Sequence, residues 1–161
     1  MNHIGKSIFL WGLICFIGYG VYQFLLMDPN FPQPMILWTV LTIIGVVAML
    51  KWMPNAMKLD VVKVWIIVAV LGMIYHWLAV MKIVPLFFTA WGFWALLMAI
   101  GFLATGYTWK AREKFYYGVG VLNAIVFLAI AFMPSLIGTY GSAVLAIVSG
   151  VPLLYDGWRT K

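Results

Sequence analysis

Acidic side chains are the scarcest feature of this sequence: in 161 residues the only Asp and Glu are Asp28, Asp60, Glu113 and Asp156. Charged residues of both signs make up 9% of the chain, too few to coat the surface of a soluble domain of this size. The same scarcity argues against a two-carboxylate hydrolase. Cysteine is nearly absent. Cys15 stands alone inside an apolar run, which excludes an internal disulfide framework, a CxxC pair and a thiolate metal cluster. Histidine occurs only at His3 and His76. The sequence has no Ser/His/Asp grouping, no phosphate-cradling glycine loop and no His/Cys cluster at metal-ligand spacing. The chain is therefore expected not to be an enzyme by itself.

What the sequence does contain is apolar. Hydrophobic residues make up 66% of the chain and the mean hydropathy is +1.07, more than one soluble core of this length can enclose, so the expected solvent is lipid. The formal net charge is +6. In a membrane protein such a surplus arises from cytoplasmic loops facing anionic headgroups, and no basic and aromatic nucleic-acid motif accompanies it. The lipid bilayer, not nucleic acid, is the expected partner.

A helix needs roughly 20 apolar residues to cross the ~30 Å hydrocarbon core. Cutting the chain at charges and prolines predicts an all-α, polytopic membrane protein with six spans, at about 5–26, 35–53, 61–81, 86–107, 115–133 and 137–155. The connecting segments are too short to fold separately, so residues 1–161 are expected to form a single domain. The first apolar run is too long for the roughly 7–15-residue core of a secretory signal, and is read as a retained helix.

Charge sets the orientation. Lys6, then Lys51, Lys58 and Lys63, then Lys110, Arg112 and Lys114, then Arg159 and Lys161 fall on one side, and only Lys82 on the other. The positive-inside rule then places both termini in the cytoplasm of a plasma or inner membrane. The outer connections contain Pro29, Pro32 and Pro34, then Pro85, then Pro134. Proline ends helices, so the six spans are expected to form three consecutive hairpins.

Helices in lipid associate through small residues that let backbones approach. Gly138, Ser142, Ala146 and Gly150 recur every four residues in the last span and are the predicted helix-packing stripe. Pro152 is expected to bend that helix. Trp11, Trp38, Trp52, Trp65, Trp77, Trp109 and Trp158 read mainly as interfacial rings, and Trp91 and Trp94 as a deeper pair. Gln23, Asn123, Thr39, Thr42, Thr89 and Thr105 are expected mainly to hydrogen-bond between helices. Asp156 is expected to pair with Arg159 at the interface.

No cofactor is required by these residues, but His76 is the candidate position for one. It is the titratable side chain within a span, near its outer end. It suits a haem or metal ligand or a hydrogen-bond donor to a quinone. It equally suits a histidine satisfied by a carbonyl or Tyr hydroxyl of a neighbouring helix. Met27, Met35, Met81 and Met133 lie toward the same side, as a soft copper(I) site would require, although methionine is also ordinary filler in apolar helices.

The closing segment, FYYGVGVLNAIVFLAIAFMPSLIGTYGSAVLAIVSGVPLLYDGWR, resembles the last hairpin of the HdeD-type family of small six-helix membrane proteins, with Pro134 as the turn proline and SGVPLLYDGWR as the final glycine-containing helix end. The likeness covers about a quarter of the chain. It implies a stress-related membrane protein without a defined catalytic site. Two further expectations come from the residues themselves. The first is a non-catalytic accessory or structural subunit of a larger membrane assembly, for example an energy-converting oxidoreductase. The second is a six-helix solute-binding or transport protein.

Overall fold

The computed structural model describes residues 1–25, 33–83, 90–133, 135 and 140–160. Among them every regular element is helical. The long helices are α1 (His3–Leu25), α2 (Gln33–Trp52), α3 (Asp60–Val80), α4 (Ala90–Thr108) and α5 (Glu113–Phe132). The last helix, α6, spans Gly141–Arg159, and short 3-10 turns occupy Ala56–Lys58 and Lys110–Arg112.

Five of these helices are long and apolar enough to cross a membrane, and α4 contributes a shorter apolar stretch, Gly92–Thr108. The expected starts of the fourth span at residue 86 and of the sixth at 137 lie outside the described residues, as do Met27, Pro29, Pro32, Pro85, Thr89, Pro134, Gly138 and Lys161. The outward faces fit a lipid solvent. On α2, Ile36, Val40, Ile43, Ile44 and Val47 are all exposed, an apolar stripe that water would penalise and acyl chains would not.

Helix ends follow local chemistry. The Asn2 side chain accepts a hydrogen bond from the Gly5 N–H at 2.9 Å, capping the start of α1. At the end of α3, the N–H groups of Lys82 and Ile83 donate to the carbonyls of Ala79 and Leu78. This is a Schellman arrangement with Lys82 in the left-handed position at φ 59°. In α6 a π-turn over Ala146–Gly150 directly precedes Pro152. The wider turn accommodates a ring that a regular α-ladder would push against the carbonyl four residues back.

The described helices fall into two compact units. The first contains α1, α2 and α6 (Met1–Ala56 with Ser142–Lys161). Here α6 lies antiparallel along α1, with glycines at the points of closest approach. A Cβ on Gly5 would meet the carbonyl oxygens of Thr160 and, at 2.8 Å, of Gly157; one on Gly12 would meet the Leu154 nitrogen at 2.6 Å. From the other side, a Cβ on Gly150 would lie 2.9 Å from the Phe16 Cα, and one on Gly157 would collide with the Phe9 backbone. Backbone meets backbone along the whole length, as small-residue packing in lipid requires.

The second unit contains α3, α4 and α5 (Met57–Gly141). There α5 lies antiparallel to α4, with Leu103 over Gly120 and Tyr117 over Gly106. The outer turn of the expected third hairpin, at Pro134, lies outside the described residues; within the second unit α5 packs on α4, and within the first α6 packs on α1. The reason is steric. Gly150 and Gly157 of α6 match the backbone of α1, whereas the glycine notches of α5 and α4 match each other's side chains.

Candidate functional site

His76 lies on α3 and is 5% exposed. Its Nδ1 accepts a hydrogen bond from the Trp94 indole N–H of α4 at 2.9 Å. An indole nitrogen can only donate, so Nδ1 uses its lone pair and the neutral ring carries its proton on Nε2. Metal-bound histidines have the opposite polarity: the nitrogen away from the metal carries the proton and donates. This arrangement does not fit His76 as a haem or copper ligand.

Trp94 does more than donate. Its ring covers Gly72, one turn before His76, and a Cβ on Gly72 would lie 2.5 Å from the ring. The reciprocal contact is made from the opposite helix. Trp65 of α3 covers Gly101 of α4, where a Cβ would lie 3.0 Å away. Its indole N–H donates to the Thr105 hydroxyl at 2.9 Å, and that hydroxyl donates in turn to the Gly101 carbonyl at 2.8 Å. Each helix thus offers a tryptophan, a glycine notch seven residues later and a polar acceptor four residues beyond that. Each tryptophan fills the partner's notch and donates to the partner's acceptor.

The same spacing recurs in the first unit. Trp38 of α2 covers Gly18 of α1, and Trp11 of α1, together with Ile14, covers Gly45 of α2. The positions corresponding to His76 and Thr105 are Tyr22 and Met49, both buried. The sequence therefore contains W-x6-G in four consecutive helices, as LWGLICFIG, LWTVLTIIG, VWIIVAVLG and FWALLMAIG. Reading Trp11, Trp38 and Trp65 as interfacial rings and Trp94 as one of a deeper pair obscured this repeat. Trp38 and Trp94 are each only 6% exposed, because they are wedged between helices.

Other singled-out residues are placed as follows. Ser142 and Ala146 are buried, and the Ser142 hydroxyl donates to the Tyr19 carbonyl of α1 at 2.5 Å. Gly150 abuts Phe16. Gln23 accepts from the Ala143 N–H at 3.1 Å, a bond between α1 and α6. Thr39 and Asn123 donate to carbonyls one turn back in their own helices, the local alternative available to short polar side chains. Met35 is buried, whereas Met81 and Met133 are exposed. Among the described residues, no three His, Cys, Asp or Glu side chains come together.

Asp156 departs from expectation. It is 1% exposed, and Arg159 turns to the Tyr155 hydroxyl instead, at 2.7 Å. Residues 155 and 159 are one turn apart on the same face, so the guanidinium reaches the phenol and its ring without leaving the surface. Sequence spacing alone did not reveal that Asp156 lies on the face turned inward. Comparison of the chain with protein families, with curated proteins and with solved structures finds no match.

Proposed function

We propose that this chain is a six-span protein of a plasma or inner membrane, with both ends on the cytoplasmic side, and that it is a non-catalytic subunit of a larger membrane assembly. The observation that carries this reading is the use made of polar groups within the helices. His76 and Thr105 receive tryptophan N–H groups, Ser142 bonds a backbone carbonyl and Gln23 bonds a backbone N–H. Each fixes one helix to another, which is what a structural component needs. The lipid-facing aliphatic stripe of α2 supplies surface for neighbouring subunits or acyl chains.

The orientation is supported by the nine basic residues assigned to one side against Lys82 on the other, and by the proximity of Gly5 to Thr160 at one end of the first unit. Two experiments test the proposal. In a Cys15→Ser background, single cysteines replacing Asn2 and Lys110 should react with an impermeant maleimide only after the membrane is opened. A cysteine replacing Lys82 should react from outside. Separately, mild extraction from the native membrane should yield this chain in a large hetero-oligomer. A monomer or homo-oligomer would sink the subunit reading in favour of transport or an HdeD-like stress role, whatever the labelling gives.

A further inference from the structure

The turn between α4 and α5 combines positive charge with a rigid aromatic base. After Trp109, the 3-10 turn Lys110–Arg112 leads directly into α5. Trp109 stacks on Tyr116 at 5.8 Å, and Tyr116 is 2% exposed. Tyr117 is seated over Gly106, where a Cβ would be 2.7 Å from its ring. Beside this stack, with Tyr117 in its wall, lies a cleft of about 570 Å³ lined also by Lys110, Arg112, Glu113, Lys114 and Phe115. Glu113 is 3.5 Å from the Lys110 ammonium, and with Arg112 and Lys114 also in the lining three cations stand against one carboxylate, an excess of positive charge. Lys110 also lies 5.1 Å from the centre of the Tyr107 ring, which is itself exposed.

We propose that this cleft binds the phosphate-bearing headgroup of an anionic phospholipid. Cations of this density suit a phosphodiester. The cleft also lies at the ends of two apolar helices, where a lipid presents its phosphate beside its acyl chains. The Phe115 and Tyr117 walls favour an amphipathic ligand, because a free phosphate gains nothing from an apolar wall. The inference rests on α4 and α5 crossing the membrane, not on membership of an assembly. It can be tested on the purified chain, and the cysteine labelling at positions 82 and 110 checks the crossing of α4 independently.

The test is the binding of phosphatidylglycerol and of phosphatidylcholine to the detergent-solubilised protein, followed as one-to-one adducts by native mass spectrometry. The intact chain should prefer phosphatidylglycerol. The triple variant Lys110→Gln, Arg112→Gln, Lys114→Gln should lose about ten-fold or more of that affinity, since each basic group at an anionic surface is worth roughly five-fold. The matched variant Lys51→Gln, Lys58→Gln, Lys63→Gln, which removes the same charge elsewhere, should change it by less than about three-fold. Lys110→Arg with Lys114→Arg should retain binding, separating lost charge from lost folding. Equal losses in the two triple variants, no preference for the anionic lipid, or displacement of phosphatidylglycerol by millimolar inorganic phosphate would each overturn the proposal.

Discussion

The indole of Trp94 donates to Nδ1 of His76 at 2.9 Å while its ring covers Gly72, one turn earlier on the same helix. Hydrogen bond and steric fit therefore depend on one side chain. Enlarging Gly72 must move the ring, and moving the ring stretches the bond. Gly72→Ala should destabilise the protein by about 1–3 kcal/mol, the usual range for overpacking. Unfolding in mixed micelles would measure this, with tryptophan emission reporting the displaced indole. Unchanged stability and emission would show that the notch is loose.

The Trp65–Thr105 bond lends itself to a cleaner energetic test. Thr105→Val keeps the shape and removes the hydroxyl, while Trp65→Phe removes the donor. A double-mutant cycle should give a coupling of about 0.6 kcal/mol and no more than about 1.7. A coupling near zero would mean that ring packing on Gly101 and Phe102 holds the pair without help from the polar bond.

Two buried serines of the first unit should respond in opposite directions. The Ser142 hydroxyl donates to the Tyr19 carbonyl, whereas the Ser7 hydroxyl, also buried, has no hydrogen-bond partner among the described residues. Removing a satisfied group loses a bond; removing an unsatisfied one relieves a desolvation cost. Ser142→Ala should lower stability by about 0.5–1.5 kcal/mol and Ser7→Ala should raise it by about 1 kcal/mol. Parallel thermal unfolding of the two variants decides the matter, and the same sign for both would refute the distinction.

The contrast between what was legible and what was not has a physical basis. Helix positions were legible because the ~30 Å membrane thickness converts apolar run length directly into a helix. The start of α1, the end of α2 and both ends of α3 and α5 lie within two residues of the expected ones. Helix partners were not legible from chain order. In lipid, burying leucine against leucine favours no particular neighbour, so the glycine notches decide. These set α6 against α1 through Gly12 and Gly150, two helices at opposite ends of the sequence. The partner of His76 was hidden for a related reason. Trp94 reads as one of a deeper, bulk-filling pair and Trp11, Trp38 and Trp65 as interfacial, and only the recurrence of tryptophan seven residues before a glycine, in four helices, distinguishes a wedge from either.

Lys82 offers a test of backbone strain. It occupies a left-handed conformation at the end of α3, which costs a residue with a Cβ about 1–2 kcal/mol and costs glycine almost nothing. Lys82→Gly should therefore stabilise the protein by about 1 kcal/mol, less the greater entropy of glycine in the unfolded chain. A loss of stability would show that the lysine side chain contributes more than its backbone costs.

The α1–α6 contact can be followed through the single cysteine. Cys15 is a free thiol, buried on α1 between the turns that carry Gly12 and Phe16, both in contact with α6. A maleimide should label it slowly in the native protein, because access requires the helices to separate. Gly157→Leu inserts a side chain where even a Cβ would collide with the Phe9 backbone. Backbone cannot swing aside as a flexible side chain can, so the helices must part. Labelling of Cys15 should then accelerate well before global unfolding. Gly20→Leu serves as the control, because a Cβ there meets nothing within 4 Å, and it should leave the rate unchanged. If Gly157→Leu left the labelling rate at the wild-type value, the backbone-to-backbone packing of α1 and α6 would not be what protects the thiol.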